Sequence, residues 1–169
     1  KIVANDELNN KGSATGELEV IAIPSRLEIS VQPEAQNPGL EITYQATITD
    51  QAGELLNDVI GLTITQPDGV FMYKGETASG EITSYALGQY AAPGEHTITA
   101  SYRNLGAQAK FSINEIKDIK MEQQGETVAV ENIGNVLYEE EVSVVVEGDG
   151  QNYYIKKKMK LDPGEVGTI

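Results

Sequence analysis

The chain has 169 residues, of which 26 are acidic and 12 basic, for a formal net charge of −14. It contains no cysteine, no tryptophan and one histidine. So acidic a surface repels phosphate backbones and anionic bilayers, which argues against nucleic-acid partners. Without cysteine there is no disulfide, thiolate metal site or Cys nucleophile.

No apolar run approaches the roughly 20 residues that span a bilayer, so no membrane insertion is expected of these residues. The chain opens on Lys1 rather than Met, which reads as a mature chain or a fragment of a longer one. The absence of cysteine fits a prokaryotic protein. Apolar residues do not recur at helical spacing. Short alternating segments instead follow one another between Gly, Pro, Asn and Asp clusters, the pattern of an all-β sandwich or barrel. The fold expected is a tandem of immunoglobulin-like β-sandwiches, the second short of strands. The boundaries fall at residues 1–24 for a lead-in containing a strand, 25–114 for the first module and 115–169 for the second.

In chain order, residues 1–16 are polar and read as a loop or lead-in around Asn9 to Ser13. Glu17 to Ile23 alternates and is expected to be a strand ended by Pro24. Leu27, Ile29 and Val31 mark the next strand, stopped by Pro33. Leu40, Ile42, Tyr44, Ala46 and Ile48 share one face of a half-buried strand, with Glu41, Thr43, Gln45, Thr47 and Thr49 on the other. Turns at Asp50–Gly53 and Gln66–Gly69 flank a strand over Val59–Thr65. Further strands are expected over Val70–Lys74, Glu81–Leu87, His96–Arg103 and Gln108–Ile113.

Asn114 to Asp118 is too short and too poor in Gly and Ser to be a flexible linker. The second module has strands at about 117–122, 126–132, 139–147 and 153–161, a hairpin loop at Gly148–Asn152 and a stub at Val166–Ile169. A sandwich needs about seven strands. Either the chain stops short of a full module, or a strand comes from Glu17–Ile23 or from another molecule.

Asp50, Glu54, Asp58 and Asp68 lie near turns expected to converge at one end of the first module. Loop carboxylates of this kind bind Ca²⁺ between tandem sandwiches, so these four are the candidate metal ligands, and Ca²⁺ is the one cofactor suggested. Asp in a turn also serves its own backbone, as does Asp149 in the hairpin loop. His96 beside Glu95 could be an acid/base pair, but adjacent strand residues face opposite ways. His96 is therefore read as a surface residue at a strand start, and no catalytic set emerges. Across the hairpin, Glu141 and Glu147 are expected to face Lys156, Lys158 and Lys160. Val142, Val144 and Val146 then share the apolar side with Ile155, Met159 and Leu161. Tyr44, Tyr85, Tyr90 and Tyr102 read as core and corner residues. Tyr153 and Tyr154 are consecutive, so one is expected to face solvent as a contact residue.

The turns Asp50-Gln51-Ala52-Gly53 and Pro67-Asp68-Gly69, then Thr77 to Gly80 and Pro93-Gly94-Glu95-His96-Thr97-Ile98-Thr99-Ala100, arrive in an order that resembles prokaryotic Ig-like or macroglobulin-like modules. The resemblance covers roughly residues 26–113. In the second module, Asn132-Ile133-Gly134-Asn135 and Leu161-Asp162-Pro163-Gly164-Glu165 resemble the adhesion-related (CARDB-like) Ig-like domains of bacterial and archaeal surface proteins. Such families imply extracellular or cell-surface spacers, adhesins and envelope-protein stalks, and no particular ligand or catalytic residue; other surface or secreted proteins are the expected partners, with self-association by strand exchange open through the incomplete second module. A protein- or carbohydrate-binding module, or an accessory domain of a larger surface enzyme, is the alternative. The missing tryptophan weighs against sugar stacking.

Overall fold

Strands and turns, with no helix, make up the residues that the computed structural model describes, namely 2–5, 7–8, 11–14, 21–148 and 150–169. The first module follows a short hairpin, β1 (Ile2–Asn5) and β2 (Lys11–Ala14). It contains β3 (Pro24–Gln32), β4 (Ala35–Gln36), β5 (Glu41–Asp50), β6 (Val59–Thr65), β7 (Phe71–Ala78), β8 (Ile82–Ala86), β9 (Gly94–Tyr102) and β10 (Leu105–Ile113). The second contains β11 (Ile119–Gln124), β12 (Thr127–Asn132), β13 (Tyr138–Gly148), β14 (Gln151–Leu161) and β15 (Val166–Thr168).

In the first module the sheet β3-β5-β8 packs against the sheet β4-β10-β9-β6-β7. Period-two alternation explains why. Ile42, Tyr44, Ala46 and Ile48 of β5 are buried against Ile60, Leu62 and Ile64 of β6, Ile98 of β9 and Phe111 of β10. Leu40, expected in the same row, lies outside β5 and is half-exposed, because the chain is still in the turn that closes on Gly88. In the second module β11-β12-β15 faces the hairpin β13-β14, around a small core of Val130, Tyr138, Val142, Met159 and Leu161.

The beginning of the chain departs from expectation. The polar lead-in forms the β1–β2 hairpin, since backbone pairing needs no apolar face to form. Residues 17–20 of the expected strand lie outside the described residues, as does Asp149. Ile21 to Ile23 are not in a strand. The Gln51 side chain instead accepts from Ile23 N at 2.7 Å and donates to Ile21 O at 3.0 Å, which ties this segment to the first module. The terminal stub is strand β15, antiparallel to β12, and Val128 and Ile169 exchange two backbone bonds of 2.9 Å.

Tyr44 is the most deeply buried tyrosine of the first core, 2% exposed. Burial, helped by neighbouring Tyr73, pushes its phenol from 10.0 up to about 12. The fold therefore favours the neutral phenol. That stabilisation is complete below pH 10 and is lost as the pH climbs towards 12. An ultraviolet titration of the native protein should show one late phenolate step that Tyr44→Phe removes. A titration in which Tyr44→Phe changes only the early steps would refute this.

Candidate functional site

The one histidine offers no surface chemistry. His96 is in phase with Ile98 and Ala100 along β9 and is fully buried. Its Nδ1 lies 3.0 Å from Gly94 O, and its ring stacks on Phe111, its cross-strand partner, at 5.2 Å. Its Nε2 has no hydrogen-bond partner among the described residues. The expected surface position is thus corrected, and the phase of the alternation was the available signal. Glu95 faces outward and pairs with Lys110 at 2.6 Å.

Three of the four candidate calcium ligands turn their carboxylates on local backbone, and Glu54 enters only through its main chain. Asp50 Oδ1 accepts from Ala52 N and Glu54 N at 2.8 and 2.9 Å. Asp58 Oδ1 accepts from Val59 N at 2.9 Å, and Asp68 Oδ1 from Val70 N at 3.0 Å. Asp58 Oδ2 also accepts from the Tyr102 hydroxyl. That bond, with the one from Val59, holds the Asp58 carboxyl below its ordinary range and raises the Tyr102 phenol. The turns do not converge as expected. The seven-residue strand β6 separates Asp58 from Asp68, about 20 Å at roughly 3.3 Å per residue. Among the described residues no group of three or more His, Asp or Glu is placed to hold a metal ion.

The β13–β14 hairpin is the most distinctive surface. Its register sets Glu139 opposite Lys160, Glu141 opposite Lys158 and Val144 opposite Ile155. Glu141 pairs diagonally with Lys156 at 3.1 Å. Glu147, expected to face a lysine, lies opposite Asn152. Lys157 falls on the other face, beside Val142, and its ammonium donates to Thr168 O at 2.6 Å. At the base, Lys117 pairs with Glu140 at 2.5 Å and lies over the Tyr138 ring. The bond to Glu140 holds the Lys117 ammonium above its ordinary range.

Both strands of this hairpin are eleven residues long, whereas β11 and β12 have six each and β15 three. The hairpin outruns the sheet it packs on. Its base, with Tyr138, Val142, Met159 and Leu161, is buried, but its distal half is not. Val145 is 49% exposed, Val146 44%, Tyr153 52%, Tyr154 70% and Ile155 46%. One exposed tyrosine was expected and both are exposed: Tyr154 stands on the outward face, and at Tyr153 the inward face has outrun the opposing sheet. Tyr153 lies opposite Val146 on one face, and Tyr154 opposite Val145 on the other. Alternation alone assigned Val146 and Ile155 to the interior, and nothing local signals how far the partner sheet extends.

The two modules meet through Asn135, almost fully buried. Its Nδ2 donates to Ala91 O in the first module at 2.9 Å and to Asn114 O at 3.0 Å. Its Oδ1 accepts from Ile116 N at 2.7 Å, and its own N–H donates to Ile116 O. Nearby, Tyr90 of the first module packs on Gly164, where a Cβ would come within 2.9 Å of the ring and where φ is +79°.

No protein-family model matches the chain, and no curated protein does either. Among solved structures it is similar to E. coli alpha-2-macroglobulin in its native conformation, with 12% identity and a TM-score of 0.48 over 99% of this chain. It is also similar to Salmonella alpha-2-macroglobulin reacted with methylamine, with 14% identity and a TM-score of 0.45 over 90% of this chain. The chain spans 14% and 13% of the length of those two proteins. At such scores the architecture rests on the strands and cores of this chain itself.

Proposed function

We propose that this chain is a non-catalytic structural module of a larger prokaryotic surface or secreted protein, a spacer that also presents the β13–β14 hairpin to a protein partner. The observation that carries the spacer reading is Asn135, whose single side chain bonds both modules and the segment between them. A buried, bonded junction of this kind resists bending, because each unmade bond leaves a desolvated polar group. The exposed Val146, Tyr153 and Ile155 on one face of the hairpin, with Val145 and Tyr154 on the other, favour protein contact, since apolar and aromatic surface is the common core of an interface. The sole histidine, sealed in the first core, supports a non-catalytic reading. The extracellular compartment rests on the resemblance of the turn order to surface modules.

Small-angle scattering with sedimentation is the test, run with Ca²⁺ and with chelator. A monomer of fixed shape, indifferent to Ca²⁺, is expected. Asn135→Ala should broaden the distance distribution while each module stays folded. Compaction on adding Ca²⁺, or a wild-type curve that already requires freely moving modules, would overturn the spacer reading.

A further inference from the structure

One edge of the second module is open. Among the described residues the backbone of β13 pairs with β14 alone, so alternate N–H and C=O groups along its other edge point away from any strand. Beside that edge lies a cleft of about 500 Å³ between the distal half of β13 and the β11–β12 turn. Val128, Val144 and Val146 supply its apolar lining, and Glu126 and Glu147 stand at it as acids. Glu139, opposite Lys160, and Glu141, paired with Lys156, are already offset within the hairpin, so the acids offered at this edge are Glu126 and Glu147.

An unpaired edge, an apolar cleft and the two carboxylates at it together describe a strand-shaped site. We propose that β13 takes up an extended segment of a partner protein by strand addition, with apolar residues of that segment entering the cleft and Lys or Arg at its alternate positions. Main-chain bonds to β13 provide affinity, and alternating side chains provide selection. The occupant is a different protein rather than a second copy. Two copies, each of net charge −14, repel one another. The basic run of this chain is already engaged, through Lys156 with Glu141 and Lys157 with Thr168. The inference rests on the partner-contact part of the proposed function and is independent of the spacer part.

The test uses the full chain and two labelled synthetic peptides as long as β13, one alternating Val with Lys, the other Val with Glu. Fluorescence anisotropy reads binding, and amide hydrogen exchange reads protection along residues 139–147. The Lys peptide should bind about tenfold more tightly than the Glu peptide, as expected from two cross-strand charge pairs. It should weaken as salt screens those pairs and should protect alternate amides of β13. Glu126→Lys with Glu147→Lys, both exposed and outside the core, should reverse the preference without loss of fold. Equal binding of both peptides, or binding that leaves β13 amides unprotected, would overturn the proposal. So would a dimer that forms with rising concentration and itself protects β13, because the occupant would then be a second copy. None of these results would touch the scattering test of the spacer reading, whereas a flexible junction would sink the spacer and leave this edge intact.

Discussion

Asn132→Asp is expected to abolish cooperative unfolding of the second module while the first keeps its own transition. Asn132 is fully buried, and its Nδ2 donates to Val136 O at 2.8 Å and to Leu161 O at 2.9 Å. Its Oδ1 accepts from Gly134 N at 3.0 Å. The aspartate has the same shape, but it replaces a two-proton donor with an acceptor that confronts two carbonyl oxygens in a dry site. Leaving a buried polar group unpaired costs about 1–3 kcal/mol, and a buried charge adds to that. The total, roughly 3–5 kcal/mol, matches or exceeds the whole stability that so small a core can supply. Calorimetry should show two transitions in the native protein and one in the variant. Asn132→Ala, which loses the same bonds without adding charge, should lower the second transition less. Two transitions in Asn132→Asp within about 1 kcal/mol of the native values would refute the role assigned to this side chain.

Gly134→Ala should be comparably damaging for a different reason. A Cβ at this position would overlap the carbonyl oxygen of Ile116 and come within 3.0 Å of Asp118 N. Both are backbone atoms, and neither can yield cheaply. Ile116 O accepts from Asn135 N at 2.9 Å, and Gly134 N itself lies 3.2 Å from Asp118 O. Overpacking costs about 1–3 kcal/mol even where side chains can shift, and more where they cannot. The loss should appear in the second calorimetric transition and also as a broadened scattering profile, since Ile116 belongs to the bonded junction. A folded Gly134→Ala protein with an unchanged profile would show that this close approach is not required.

These two residues belong to the run Asn132-Ile133-Gly134-Asn135, which the sequence singles out as a motif but does not explain. Its chemistry lies in contacts with residues distant along the chain, Leu161 for Asn132, Ile116 and Asp118 for Gly134, and Ala91 for Asn135. The core strands were readable because burial on one side of a strand writes itself into every second residue, as Ile42, Tyr44, Ala46 and Ile48 do. The same rule places His96 inside with Ile98, once phase is given more weight than residue type. The expected convergence of the turns fails at Asp68 because turns near one another in sequence order can sit at opposite ends of a strand.

The hairpin divides the two kinds of information most clearly. Sequence alone determined its alternation and the face on which Lys156, Lys158 and Lys160 stand, because those follow from a local two-residue period, whereas Gly148, Gln151 and Asn152 of the expected loop are in the strands. Which of its apolar residues are covered depended on the lengths of β11, β12 and β15, which no residue of the hairpin encodes. Local periodicity assigns a side chain to a face of its strand. Only the tertiary structure decides whether another sheet lies over that face, and so turns Val146 and Ile155 from expected core into exposed surface.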